Sequence, residues 1–443
     1  MSSEEPYDAL VVGGGPGGSS TASLLARHGR RVLLVERQRF PRFHIGESLI
    51  PETNRILEAL GVLDRIAAAG FPVKRGAVIM APDGEHERYA HFGEAQGIEC
   101  PATYEVPRER FDQILLDHAA GCGAQVLQGC RARSAAFFGD GVELRIEDAS
   151  GKRTVTGRYL VDASGRDGFL ARRLGLRQVD PELRQVSVHA WYEGVVPMPP
   201  EQAGDARLIA LGGHAWAWLI PLDDRVTSVG VVVSRERYAG LPGRPAERLD
   251  ELVRCVPVLA ELLARARRVS PARVDGDYSY ATRTYAGERW LLVGDAGSFL
   301  DPVFSTGVLL ALASGVQAAE SVHRCLAAGT PDRRSRRILA AYDREQTRKY
   351  RFFRRFVLGY YRPEFRDLLL SPTTRFGLSR AVVTALAGNS RPSFLNRVRL
   401  ALFFTFVRLQ RFVPLVPRRH GGESHVDLNV AGGPETAGAP AES

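Results

Sequence analysis

The stretch Tyr7-Asp-Ala-Leu-Val-Val12-Gly13-Gly14-Gly15-Pro16-Gly17-Gly18 decides the fold. A short apolar run ends in glycines, as a buried parallel strand does where it turns into a helix. Residues 16–29 carry small side chains first and Leu24 and Leu25 later, and Val32 to Val35 is a second apolar run. Together they predict a βαβ unit of about 30 residues. The glycines satisfy GxGxxG. Gly13 permits the tight turn, Gly15 lets a pyrophosphate reach the N–H groups at the helix N-terminus, and Gly18 lets helix and strand pack closely. Pro16 and Gly17 belong to the same candidate cofactor-binding turn. Glu36 ends the second strand eighteen residues after Gly18 and is followed by Arg37. A carboxylate there accepts hydrogen bonds from a ribose diol, so the unit reads as dinucleotide-binding.

The rest of the 443 residues sets the frame around this unit. With 44% hydrophobic and 25% charged residues, the composition excludes wholesale disorder, a collagen-like chain and a disulfide-dense scaffold. The five cysteines show no CxxC and no metal spacing, so they read as reduced thiols of a cytoplasmic protein without a metal site. The start MSSEEPYD lacks the basic and apolar regions of a signal peptide. No apolar run approaches the ~18 residues of a spanning helix. The net charge of +9 is concentrated: residues 341–420 hold 17 Lys/Arg against 4 Asp/Glu, and the tail from 421 holds four acids and no Lys or Arg. Lysine occurs only at 74, 152 and 349. Where any cation suffices the chain uses Arg, which makes each lysine informative.

Periodicity predicts helices over 51–69, 107–121 and 306–327, and strands over 142–146, 155–160, 186–193, 207–211, 215–221, 226–233 and 291–293. Residues 329–336 read as a polar hinge, helical pieces at 338–359 and 394–412 carry much of the positive charge, and the last twenty or so residues read as disordered. The piece at 394–412 mixes Phe and Leu with Arg. It reads either as a helix packed on the protein with its arginines outward, or as one that docks on a membrane surface or a partner.

Gly294-Asp295-Ala296 follows the strand Trp290–Val293, where flavoproteins of this plan place an Asp against the ribityl or pyrophosphate region of FAD. Val161-Asp162-Ala163-Ser164-Gly165 matches a strand-end motif of the same group, and Arg108 fits the arginine that reaches the flavin, or else a salt bridge at a helix start. These motifs favour FAD over NAD, and no second GxGxxG unit exists for a dedicated NAD(P)H domain.

Trp216-Ala-Trp218-Leu-Ile220-Pro221 is a WxWxIP sequence, and Phe299-Leu-Asp-Pro302-Val-Phe-Ser305-Thr306-Gly307 has the form FxxPxxSxG. With the GxGxxG turn and Phe43-His-Ile-Gly46-Glu47-Ser48-Leu-Ile-Pro51, the chain over about 1–350 resembles the flavin-dependent halogenases, and most nearly the branch of polyketide and nonribosomal-peptide pathways. The resemblance implies an α/β fold of the p-hydroxybenzoate-hydroxylase type. A GxGxxG FAD-binding domain (parts 1–70, 102–180 and 272–345) interleaves with an antiparallel substrate sheet (71–101 and 181–271). A basic helical region follows over 346–420, then a tail over 421–443.

It further implies that FADH2 from a separate flavin reductase, O2 and chloride or bromide give a hypohalous acid. That acid travels to a lysine ammonium, which hydrogen-bonds it or forms a chloramine. Lys74 falls at that position; its alternative is a surface lysine. Ser48, Pro302 and Gly307 become cofactor contacts, Thr306 and Gly307 hold the halide, and Trp216 and Trp218 shield the flavin from substrate. Phe304 stands where tryptophan halogenases carry a glutamate, so free tryptophan gives way to a phenol or pyrrole, free or tethered to an acyl or peptidyl carrier protein. Carrier proteins are acidic, and the +13 segment suits them as it suits anionic lipid; nucleic acid is not an expected partner. The rival readings are a flavin monooxygenase and a geranylgeranyl-reductase-type oxidoreductase.

Overall fold

The structure, a computed structural model, describes residues 5–212, 214–276, 279–329, 332–371 and 377–418. The opening motif forms strand β1 (Tyr7–Val12), helix α1 (Pro16–Arg27) and strand β2 (Val32–Glu36). β1 is central: it pairs in parallel with β2 on one side and with the strand Gly151–Asp162 on the other. Trp290–Leu292 and Gln125–Gln128 extend the parallel sheet outward, and the hairpin Arg131–Phe137/Val142–Asp148 is added to it antiparallel. The near-continuous Val/Leu/Ala run of β1 suits a strand covered on both faces.

α1 covers this sheet with the helix Gly307–Ala327 against it. The two helices approach through small residues. A Cβ on Gly315 would lie 2.5 Å from the Gly17 carbonyl oxygen, and one on Gly18 would lie 1.8 Å from the Gly13 oxygen. Neither contact tolerates a side chain.

The second sheet runs Arg267–Arg268, Gln185–Glu193, Val226–Ser234, Ala215–Pro221, Ala206–Gly212, Gly76–Met80, Glu87–His91. It is antiparallel except where Ala206–Gly212 meets Gly76–Met80 in parallel. Its last two strands lie in a stretch the periodicity did not resolve. The helix expected over 51–69 is two, Glu52–Leu60 and Leu63–Ala67, because Gly61 takes φ +73° and ends the first. The expected hinge over 329–336 shortens as well: the Asp332 side chain accepts from the Ser335 N–H at 2.8 Å and caps a helix that runs Arg333–Tyr360. Residues 330 and 331 of that hinge, and the tail 421–443, lie outside the described residues.

After Tyr360 come the helices Pro363–Leu370, Leu378–Leu386 and Phe394–Gln410. Phe356, Phe365, Phe403 and Phe404 share one apolar core with Trp216, Trp218 and Phe304, so the C-terminal helices roof the second sheet. The helix Phe394–Gln410 buries Leu400, Phe403, Phe404 and Val407. Its other face exposes Phe394, Leu395, Val398, Leu402 and Leu409, and Phe412, Val413 and Leu415 continue that surface. Arg397, Arg408, Arg411 and Arg418 are exposed around it, and no Asp or Glu occurs between 391 and 418. Among the described residues no helix is long and apolar enough to cross a membrane, and no His/Cys/Asp/Glu group could hold a metal ion.

Candidate active site

Strand ends of both sheets open into one cavity of about 1130 Å³. Gly13, Gly15, Pro16, Gly17, Glu36, Arg37, Ser48, Arg108, Trp216, Trp218, Asp295, Pro302 and Gly307 all line it, which brings together residues almost three hundred positions apart.

At one end is the glycine turn. Gly13 takes φ +105°, and a Cβ there would meet the Ala163 carbonyl oxygen at 2.3 Å. Gly15 N-caps α1, with Pro16 at its first position. The nearest atom to a Cβ on Gly15 is Arg42 Nη2 at 3.6 Å, so the space beside the turn opens toward a guanidinium. Glu36 is buried and accepts from the Gly14 N–H at 2.7 Å and the Gln38 N–H at 2.8 Å; it holds the turn as well as facing the cavity. Arg37 is more exposed and pairs with Asp167. Asp162, in the second strand-end motif, accepts from the Ser164 and Leu170 N–H groups at 3.0 and 2.7 Å. Its work is to shape that turn.

Arg108 forms the salt bridge at the helix start and also faces the cavity. Nε and Nη2 grip Asp112 at 2.7 and 2.9 Å, while Nη1 donates to the Ile45 and Gly46 carbonyls at 2.9 and 3.2 Å, and the residue lines the cavity. Arg42, not singled out by the sequence reading, reaches Asp112 at 3.0 Å. Burial raises the Asp112 carboxyl, but Arg108 and Arg42 outweigh it and hold the group below its ordinary range. Arg42 Nη1 is a buried donor with no partner. A glycine turn at a helix N-terminus, an orphaned guanidinium N–H beside it and a ribose-competent carboxylate fit the pyrophosphate and ribose of FAD.

Toward the second sheet, Burial and then Arg108 push the cavity-lining His44 down to about 4. Burial raises Asp295 to about 6 and Glu47 to about 7. Glu47 Oε1 accepts from Trp191 Nε1 at 2.9 Å, and its Oε2 is buried without a partner.

Trp216 and Trp218 project from one strand face with ring centroids 5.5 Å apart. Trp216 Nε1 donates to Tyr361 Oη at 3.2 Å, and Tyr361 donates to Asp301 at 2.6 Å, so a C-terminal helix end fixes the ring. Ser305 takes φ +55° just before the helix Gly307–Ala327. Ser305 and Gly307 line the cavity; Thr306 between them is buried and is not among its lining residues. Phe304 packs edge-on against Tyr360 in the apolar core.

Lys74 is 2% exposed, which removes the surface-lysine alternative. It stands behind the cavity wall, with Nζ donating to Ser48 Oγ at 2.6 Å and to the Leu49 carbonyl at 3.0 Å. Ser48 lines the cavity and Lys74 does not. Glu105, 3.6 Å from Nζ and fully buried, is a further member of this group. Sequence reading missed Glu105 and Arg42. Glu105 lies three residues before Arg108 and Arg42 directly before Phe43, but a charged residue near a motif carries no signal of its own.

Comparison with known proteins agrees with this geometry. Residues 6–352 match the FAD binding domain family. The chain is 35% identical over 336 residues to the 1H-pyrrole-2-carbonyl-(peptidyl-carrier protein) chlorinase of Pseudomonas fluorescens, covering 70% of this chain and 74% of that one. It is 30% identical to the corresponding brominase of Pseudoalteromonas luteoviolacea, covering 74% and 79%. Among solved structures it is similar to the myxobacterial chondrochloren halogenase CndH, with 31% identity, a TM-score of 0.76, and 94% and 99% of the two chains covered.

Proposed function

The chain belongs to the flavin-dependent halogenases, and from that premise we propose that it chlorinates an electron-rich aromatic carbon, a phenol or pyrrole, in natural-product biosynthesis. FADH2 comes from a separate flavin reductase, and O2 and chloride are the co-substrates. The observation that carries the reading is Lys74: one of three lysines in an arginine-rich chain, buried, and bonded to a serine of the cavity wall. Bound flavin supplies the chemistry by which O2 oxidises halide. The chain's own residues do the rest. The glycine turn, Glu36, Arg42 and Arg108 hold the cofactor. Trp216 and Trp218 fill the space through which an aromatic substrate would reach it. The backbone N–H groups of Thr306 and Gly307 are offered to a halide at the start of a long helix. Lys74 hands hypochlorous acid to the substrate.

A chlorinase and a brominase of carrier-bound pyrrole among the relatives support a tethered substrate and leave bromide as a second halide. The exposed apolar stripe from Phe394 to Leu415, rimmed by arginines and free of acids, suits the acidic surface of a carrier protein, and also an anionic membrane.

The test is mass spectrometry of assays with FADH2, O2, chloride or bromide, and phenols and pyrroles, free and carrier-loaded, with Lys74→Ala alongside. A mass shift that follows the halide supplied and disappears in the variant is expected. Halide-independent addition of one oxygen, surviving the substitution, would move the protein to the monooxygenases.

A further inference from the structure

The outer end of the cavity carries positive charge that the fold leaves unanswered. Among the described residues nine arginines and five carboxylates line the cavity. Six of those arginines are engaged in its walls. Arg42 and Arg108 share Asp112, Arg37 pairs with Asp167, Arg166 pairs with Asp275, and Arg177 and Arg273 stack on Tyr280 and Phe43. The other three are Arg131, Arg172 and Arg173. All are exposed, and among the described residues none of them makes a salt bridge. Glu147, across the hairpin from Arg131, is held by Arg133 instead. Arg172 and Arg173 stand in the last turn of the short helix Phe169–Arg173, which buries Leu170 and Ala171. A cation suits that end of a helix dipole, which accounts for two arginines there and not for a third brought from another strand to the same rim. Arg173 donates to the Arg133 carbonyl, which ties this helix to the hairpin that carries Arg131. Arg131 follows Cys130, whose N–H donates to the Glu36 carbonyl at 2.8 Å, so the rim adjoins the carboxylate fitted to the ribose.

We propose that Arg131, Arg172 and Arg173 form an electrostatic capture rim for the pyrophosphate dianion of free flavin dinucleotide, and set how fast the protein takes the cofactor rather than how tightly it holds it. The inference rests on the reading that FADH2 arrives by diffusion from a separate reductase. Free FADH2 gives two electrons and two protons to O2 and yields H2O2, so slow capture loses the reductant. Cations along a cleft with low-dielectric walls focus their field at its mouth and raise the encounter rate with an anion. Three guanidinium charges acting on a dianion at about 10 Å in water, screened over a Debye length of about 10 Å at 0.1 M salt, raise that rate about fivefold. Near 1 M salt the Debye length is about 3 Å, and the same charges raise it less than about 1.5-fold. Arg42 and Arg108, anchored on Asp112 deeper in the cavity, hold the cofactor once it is in; the rim acts before that.

FAD, which carries the same pyrophosphate as FADH2, is the probe. Stopped-flow quenching of its fluorescence on mixing with the cofactor-free full chain gives kon and koff separately. Replacing Arg131, Arg172 and Arg173 together by Gln is expected to lower kon about fivefold at 0.1 M salt, with the difference gone near 1 M and koff within about twofold of wild type. Replacing the same three by Lys keeps the charge and should keep the wild-type kon. Replacing Arg333, Arg334 and Arg337 by Gln removes as much charge from exposed positions outside the cavity and should leave kon unchanged. Arg172→Gln alone, at a side chain whose hydrogen bond to the Arg166 carbonyl is a long 3.4 Å, should lower kon in the same direction and keeps the test open if the triple variant unfolds. An unchanged kon in the Gln variants, an effect confined to koff, a Lys variant as slow as the Gln variant, or an equal loss in the remote triple overturns the proposal. Capture of FAD needs no halide, so failure of the halogenase reading shows in the product assay and not in these rates.

Discussion

Asp112 is a site where a single carboxylate decides whether the cofactor end of the cavity is built. It is fully buried and takes three guanidinium contacts: two from Arg108, at 2.7 and 2.9 Å, and one from Arg42, at 3.0 Å. Both arginines line the cavity. Asp112→Ala leaves them facing each other without an anion in a site from which water is largely excluded. Removing one partner of a buried ion pair costs about 3–5 kcal/mol, since the surviving charge is uncompensated. An unfolding entropy of about 2.1 cal/mol/K per residue makes each kcal/mol worth about 1 °C in a chain of this size, so Tm should fall by about 3–5 °C in the cofactor-free protein. The two guanidinium groups also lose the anchor that aims them, and the Kd for FAD should rise at least tenfold, about 1.4 kcal/mol. Thermal unfolding followed by circular dichroism gives the first quantity, and quenching of flavin fluorescence on binding gives the second. FAD should restore part of the lost Tm, because its phosphates replace the missing anion. A variant within 1 °C of wild type, with unchanged FAD affinity, would refute the claim that Asp112 organises Arg42 and Arg108.

Gly18→Ala sets a methyl 1.8 Å from the Gly13 carbonyl oxygen and must push α1 away from β1; FAD binding by fluorescence should be lost even where the protein remains soluble. Lys74→Met should abolish the halogenated product in mass spectrometry and leave the Kd for FAD within about twofold, because Lys74 stands behind the cavity wall rather than in it. The cofactor-free protein should be more stable at pH 6.5 than at pH 8. Burial raises Glu47 to about 7 and Glu105 to about 8, above their unfolded values, so the folded state takes up protons as pH falls through this window. Below pH 6.5 the gain is opposed by His44 and His189, which burial lowers to about 4 and which protonate on unfolding; scanning calorimetry across pH 5–8 reads both slopes. Leu395→Asp with Phe412→Asp, at two exposed positions, should leave Tm nearly unchanged and weaken association with a loaded carrier protein, measured by calorimetry at low and high salt.

Local features of the chain were legible where the chemistry is local. The glycine turn works through residues within six positions of one another, and a left-handed backbone at Gly13 and the close approach of helix and strand at Gly18 exclude side chains there, so the letters themselves carry the signal. Buried strands such as Tyr7–Val12 and Ala215–Pro221 announce themselves by apolar content, and the placing of Trp216 and Trp218 on one face follows from the period of a strand. Gly61 and Asp332 moved element ends because a left-handed glycine and a side-chain cap each outweigh a run of helical periodicity at its margin.

What only the tertiary structure decided depends on burial and on pairings between distant segments. Lys74 was singled out by its rarity and position, but nothing in the sequence says that it is buried, that Ser48 stands between it and the cavity, or that Glu105 lies 3.6 Å from its Nζ. Those facts come from two short ladders that bring residues 48, 74 and 105 to one point. Arg108 could be read as a salt bridge or as a cofactor ligand; the fold sets Asp112 one helical turn away as its partner and places the residue at the cavity wall. The C-terminal helices read as an appended basic segment. Their aromatic faces instead close the core over Trp216 and Trp218, because an aromatic stripe buries more apolar surface against a sheet than in water, while the charge stays on the rim. Sequence specifies chemistry that neighbours in the chain can perform; the long-range pairings specify which charges meet, and here those pairings build the site.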